Sequence, residues 1–393
     1  MDERWATARE RLVIVQHAGD YREAYERLSR GGPENYHAQR YSVEAVQAWG
    51  RGRPVATVCC LTSSVYDEVL ANGVRAIGAG LATPPPPRAL VAILEDLDPT
   101  RLVVRTPIPE VLSWARDRRV RTIMTLAESL PAHPRRPEQL RLINDPTVEW
   151  VGCYQRSSVP AYVDLGIDPS KLVPWRWPPG CSPADLAPKH LDGVHAPARL
   201  LFVGSLTEEK GVGDALLAVA RLHVERASEV KLQVVGEGEG QRFRALAAQL
   251  GVQDRVAFEG AVTASAVVGL MRASDVVLIP SRTSFPEGLP LVLEHSLCAR
   301  TPAVVSAHPA FAGSLEHRAD SMLFPPGDTA ALAACVRELL DDPALYERIS
   351  SAAPATWGRL QARLLWHELI EAWLAGTPES LSRLRARSAA ADP

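Results

Sequence analysis

ARLLFVGSLTEEKG, residues Ala198 to Gly211, decides the fold. An apolar run ends in Gly204-Ser205 and passes through a polar turn into a helical pattern that starts near Lys210. A short apolar strand that feeds straight into a helix is the repeating unit of a parallel sheet covered on both faces. The same alternation continues through KLQVVGEGEG (231–240), a helix to about Leu250, VAFEG (256–260), a helix near 264–273, VVLIP (276–280), a helix around 290–299 and PAVVS (302–306). It also occurs on the N-terminal side: RLVIVQ (11–16), a helix from Tyr36 to Trp49, VATVCCL (55–61), RLVVR (101–105), VRTIMTL (120–126) and EWVGCY (149–154).

Between the two series lies VPWRWPPGCSPADLAPK (173–189), which reads as an extended connector because proline disfavours helix before itself. The expectation is two Rossmann-like α/β domains with a cleft between them, each binding ligand at the carboxyl ends of its strands. The boundaries read as 1–180, 181–360, a C-terminal helix 361–376 and a tail 377–393, frayed or disordered. Proline run 84–87 reads as a rigid loop.

A chain of 393 residues suits two cores of ordinary size. Its formal net charge of −3 makes no electrostatic case for a nucleic-acid or anionic-membrane partner. MDERWATARE has no leader-like pattern and no apolar run approaches a membrane span, so the expectation is a cytoplasmic protein. Six cysteines, Cys59, Cys60, Cys153, Cys181, Cys298 and Cys335, show no metal-ligand spacing and read as buried thiols in a reducing compartment.

Four stretches fall where strands or turns meet helices. Gly204 to Gly211 combines free amides at a helix start with one lysine, the makings of a phosphate cradle; the plainer reading is a turn capped by Thr207. Gly236-Glu237-Gly238-Glu239-Gly240 is a turn that approaches a base or sugar, or is only a tight connection. Glu287-Gly288-Leu289-Pro290 places a carboxylate beside a turn whose amides suit sugar hydroxyls or phosphate. Gly31-Gly32-Pro33-Glu34-Asn35 is expected to bring amides to a diphosphate, or to be a flexible loop. Trp175 and Trp177 in the connector either stack on an acceptor or, more simply, pack the linker.

In order and spacing, FVGSLTEEKG, VVGEGEG, AFEGAV, ASDVVLIPS, PEGLPLVLEH and RTPAVVS resemble the family-4 retaining glycosyltransferases of the GT-B fold. The resemblance implies a nucleoside-diphosphate-sugar donor in the C-terminal domain, an acceptor in the N-terminal domain, a C-terminal helix (361–376) crossing back to the N-terminal domain, retention of anomeric configuration, and no metal or other cofactor. By position, Lys210 resembles the diphosphate lysine and Glu287 the first of two paired glutamates that contact the donor. Gly288 and Leu289 resemble the turn that holds sugar and phosphate, Gly31 and Gly32 the N-terminal glycine loop, and Glu128 a polar residue facing the donor sugar. Two positions depart from the pattern. Ser205 stands where the family usually has an arginine. Counted back from Thr301-Pro302, His295 occupies the second glutamate's place, with Glu294 beside it; neighbouring helix residues point about 100° apart. These departures leave open a pseudo-glycosyl coupling or epimerase on the same fold, or a silent nucleotide-sugar-binding partner subunit. Donor sugar, base, acceptor and oligomeric state are not specified by the sequence.

Overall fold

The computed structural model describes residues 3–82, 86–127, 130, 135–191, 197–224, 229–309, 311 and 313–391. They form two compact units, Met1–Pro178 with Ala362–Pro393, and Pro179–Gln361.

The strands of the first unit are β1 (Leu12–Gln16), β2 (Val55–Cys59), β3 (Tyr66–Val69), β4 (Arg75–Gly78), β5 (Arg101–Val104), β6 (Arg121–Leu126), β7 (Val148–Tyr154) and β8 (Leu172–Arg176). Those of the second are β9 (Ala198–Val203), β10 (Val230–Val235), β11 (Val256–Gly260), β12 (Val276–Ile279), β13 (Ala303–Ser306) and β14 (Met322–Phe324). The chain then returns to the first unit as β15 (Leu364–Leu365).

The first sheet runs β15-β8-β7-β6-β5-β1-β2-β4-β3, parallel except for the antiparallel β3–β4 hairpin. Its alternate residues divide between two faces, as the period of two requires. Val13, Val15, Val58 and Val104 pack with Leu90, Leu94 and Leu112 of the helices Pro87–Leu97 and Pro109–Arg118. Leu12, Ile14 and Gln16 leave the opposite face. The two faces are covered, so β2 and β5 are buried nearly throughout, and an apolar run rather than an alternation marks them in the sequence.

The second sheet is wholly parallel, ordered β11-β10-β9-β12-β13-β14. The order reverses between β9 and β12, the doubly wound arrangement whose ligand crevice lies at the reversal. Phe202, Val234, Phe243, Leu216 and Tyr346 anchor the core on one face.

Several expectations change. The predicted helix 36–49 is Gln39–Gly52. Part of the connector is strand β8, and Pro174 is tolerated there beside the two-residue edge strand β15. Trp175 and Trp177 are buried and pack edge-on to each other, Trp177 also against Tyr41 and Trp366, so they belong to the core of the first unit. The expected tail forms the helix Pro378–Arg385; Leu384 and Ala389 are buried, and the Ala389 amide donates to the Leu172 carbonyl. Pro87 starts a helix, and Pro84 and Pro85 lie outside the described residues.

The cysteine reading changes as well. Cys181 and Cys298 form a disulfide across 117 residues of sequence, joining the start of the second unit to the end of the Leu291–Cys298 helix. Cys59, Cys60, Cys153 and Cys335 are buried free thiols. Burial pushes the Cys59 thiol up to about 11 and Cys60 to about 12, so both stay protonated at neutral pH. No described helix is long and apolar enough to cross a membrane.

Candidate functional site

The reversal of the second sheet brings together loops that are far apart in sequence. After β9 the chain makes the turn Thr207–Gly211 and enters the Val212–Val224 helix, with Thr207 Oγ1 accepting from the Lys210 amide at 3.3 Å. Gly211 sits at φ +78°, and a Cβ there would lie 2.1 Å from the Pro280 carbonyl oxygen just beyond β12. Only glycine permits both that backbone and that approach. The Arg282 amide donates to the Glu209 carbonyl at 2.8 Å, fixing the β9 and β12 loops side by side.

Lys210 and Glu287 meet across this junction as an ion pair from Nζ to Oε1. The side chains are 18% and 7% exposed, so the pair is largely withdrawn from water. Ser281 Oγ donates to the same Glu287 oxygen at 2.7 Å, and Ser306 Oγ at the end of β13 donates to the Ser281 carbonyl at 2.7 Å. The Lys210 ammonium also lies 4.2 Å from the centre of the Phe285 ring. Beyond Glu287, buried Gly288 and Leu289 lead through Pro290 into the Leu291–Cys298 helix. Their two amides donate to no described residue and stand beside the helix start, where an anion is favoured.

Two further residues of the site escaped the sequence reading. His308, two residues past β13, has Nε2 3.1 Å from the Phe285 carbonyl and its ring stacked on Phe311. Burial holds it below its ordinary value of 6.5, with Glu287 acting weakly the other way. Arg282 holds buried Asp214 through Nε at 2.8 Å and Nη2 at 2.7 Å, and Glu208 at 2.8 Å. The hydrogen bond to Asp214 raises its already high pKa. With Ser205 exposed and carrying no charge, Arg282 is the guanidinium that the β12 loop brings beside the β9 turn. The sequence signal was slight: a lone arginine after Pro280-Ser281.

Other expectations are corrected by where backbone groups are spent. Gly31 and Gly32 follow the Tyr21–Ser29 helix, and their amides donate to the Leu28 and Arg27 carbonyls at 3.1 and 2.9 Å. They cap a helix C-terminus, so those two amides do not form the predicted diphosphate contact. Gly204 donates to the Val235 carbonyl at 3.0 Å, so its amide is likewise engaged. Gly236, at φ +146°, lies against that residue: a Cβ on it would sit 1.8 Å from the Gly204 oxygen. The glycine turn 236–240 therefore packs against the β9 loop at Gly204 and Leu206. Glu294 and His295 lie side by side on the Leu291–Cys298 helix and are both half-buried. Glu128 lies outside the described residues.

Residues 190–356 match the family of glycosyl transferases group 1. Among curated proteins, the chain is 29% identical over 164 residues to the amylovoran biosynthesis glycosyltransferase AmsK of Erwinia amylovora, covering 41% of this chain and 40% of that one. It is 34% identical over 158 residues to a glycogen synthase of Mycobacterium tuberculosis, covering 40% and 37%. The matched chain thus spans less than half the length of these relatives. Among solved structures, a sucrose-phosphate synthase from Thermosynechococcus elongatus superposes with a TM-score of 0.66 at 15% identity, over 94% of this chain and 100% of that one. Anabaena HepE in complex with UDP-glucose gives 0.63 at 17%, over 95% and 100%. The fold is GT-B, two Rossmann-like units.

Proposed function

We propose that the protein transfers a sugar from a nucleoside-diphosphate sugar to an acceptor with retention of anomeric configuration. The observation that carries this reading is the Lys210–Glu287 pair at the reversal of the second sheet, inside the segment that matches the glycosyl transferases group 1 family. The crevice at such a reversal is where open α/β sheets take nucleotides.

The chemistry follows from what each group can exchange. A donor diphosphate takes the Lys210 ammonium as its counter-ion and draws on the Gly288 and Leu289 amides. Glu287, released from the lysine, then accepts hydrogen bonds from hydroxyls of the donor sugar. As the bond between the anomeric carbon and the phosphate oxygen breaks, negative charge grows on the diphosphate. Lys210 and the amides stabilise that charge more strongly in the transition state than in the bound donor. The acceptor hydroxyl bonds to the anomeric carbon on the face the diphosphate leaves, and its proton passes to the departing phosphate oxygen. His295, with Glu294 beside it, is proposed to serve the ribose, since an imidazole nitrogen can bond a hydroxyl.

Calorimetry against UDP, GDP, ADP and their glucose conjugates tests this reading. One nucleotide series should bind, with affinity lost in Lys210→Met and reduced in His295→Ala. A chain that binds none of them is not a transferase of this kind. UDP-glucose comes first because a structural neighbour is complexed with it.

A further inference from the structure

The sheet of the first unit also reverses. β1 pairs in parallel with β2 on one side and β5 on the other. A crevice outside the carboxyl ends of those strands is the position expected for a second ligand. Gln16 closes β1 and Arg105 follows β5, and Arg105 Nη1 donates to Gln16 Oε1 at 3.2 Å. The guanidinium lies 5.4 Å from the Trp366 ring and 6.0 Å from the Trp177 ring. Among the described residues no carboxylate forms an ion pair with it, whereas most other partly buried arginines of this unit have one.

Gln16 and Arg105 line a cavity of about 30 Å³ together with Ile14, Ser42, Thr57 and Trp366. That is room for about two water-sized groups. Thr57 is the register partner of Ile14 and leaves the same face of the sheet. Both Thr57 and Trp366 are 1% exposed, and Thr57 Oγ1 and Trp366 Nε1 have no hydrogen-bond partner. Packing alone does not explain a hydroxyl there, because valine has the same shape and no unpaired group. The acidic side chain on the cavity wall, Asp20, already accepts from the Glu23 amide and the Tyr66 hydroxyl.

We infer that this cavity receives the carboxylate of a small acidic acceptor, a sugar acid of the uronate kind. Arginine and indole only donate, and the threonine hydroxyl has a proton to give, so the missing group accepts hydrogen bonds. Arg105 has no carboxylate in ion-pair contact among the described residues, so its guanidinium favours an anion over a neutral group, against the more distant charge of Asp20 on the same wall. A planar carboxylate offers two oxygens to these donors with less bulk than the three terminal oxygens of a phosphate monoester, which suits so small a cavity. Its role as acceptor rests on the transferase reading; binding of the carboxylate does not.

The test is calorimetry on the full chain without nucleotide, titrating glucuronate, glucose and glucose 6-phosphate. Glucuronate should bind at least about tenfold more tightly than either of the others. Arg105→Met should weaken it by about tenfold or more, and the near-isosteric Thr57→Val by a few-fold. Equal binding of glucuronate and glucose, tighter binding of the phosphate, no glucuronate binding at millimolar concentration, or unchanged affinity in Thr57→Val would each overturn the inference. A nucleotide titration of the same sample separates the two proposals. Nucleotide binding with no glucuronate binding fails this one alone; glucuronate binding with no nucleotide binding fails the transferase reading alone.

Discussion

Replacing Lys210 by methionine isolates what the ion pair contributes to the resting protein. Methionine keeps most of the length and the apolar stem of lysine and removes the ammonium with its charge and donors. Glu287 would then be 7% exposed with the Ser281 hydroxyl as its remaining hydrogen-bond donor and no counter-ion. Removing one member of a buried pair costs about 3–5 kcal/mol, and the lower end applies here because 18% of the lysine side chain reaches water. For a unit of this size, each kcal/mol moves the melting temperature by about 2–4 °C, so the expected drop is about 6–12 °C. Glu287→Gln in the same chain should restore most of it, since a neutral amide keeps the Ser281 bond without a buried charge. The double variant should melt within about 2–4 °C of the parent. Scanning calorimetry of the full chain reads all three variants. A Lys210→Met drop of less than about 2 °C, or a double variant as unstable as the single one, would refute the view that Lys210 chiefly neutralises Glu287 until a donor arrives.

Three further predictions concern the same unit. Gly236→Ala should destabilise it by about 3 kcal/mol or more, because the backbone is left-handed and the new Cβ meets the Gly204 carbonyl. Gly251→Ala, at φ +70° with open space around it, should cost only about 1 kcal/mol, and equal losses in urea melts would contradict the steric account. Reduction of the Cys181–Cys298 disulfide frees a loop of 117 residues' separation and should remove up to about 4–5 kcal/mol. The parent should therefore melt lower with reductant, while Cys181→Ser/Cys298→Ser ignores it; a parent equally indifferent would show that the bond does not form. His308 is held below 6.5 by burial, so the unfolded chain takes up the proton first. Its contribution to stability is complete above about pH 6.5 and declines as the pH falls from there towards the folded value. His308→Gln should flatten that slope, and an unchanged profile would exclude His308 as its source.

Much of this fold was readable without coordinates, for identifiable reasons. Strands β1, β2, β5, β6, β7, β9, β10, β12 and β13 are largely buried, so each appears as an apolar run, and the half-exposed edge strand β11 still packs Val256 and Phe258 on the core. The strands that were missed lack that signature or are too short to show it, as is the four-residue Arg75–Gly78. Tyr66–Val69 is largely exposed and polar, Leu172–Arg176 contains a proline, and β14 and β15 are three and two residues long. Lys210 and Glu287 stood out in the sequence because each lies in the loop between a buried strand and the helix that follows it. Gly31 and Gly32 were misplaced because a glycine pair looks the same at a helix C-terminus as before a helix N-terminus, until the end of the helix is known.

What the sequence by itself determined is local: which segments are strand or helix, which turns demand glycine, and which charged side chains lie at strand ends. Tertiary structure decided which of those ends adjoin. That the loops of β9 and β12 share a crevice, and that Gln16 meets Arg105 across β1 and β5, depends on the order of strand pairing. Strand order is set by hydrogen bonds and packing between segments distant in sequence, such as Gln16 with Arg105 and Trp175 with Leu364. No local pattern of residues encodes such a distance. Arg282, His308, Thr57 and Arg105 therefore acquire their roles only in the folded chain, while Lys210 and Glu287 could be singled out before it.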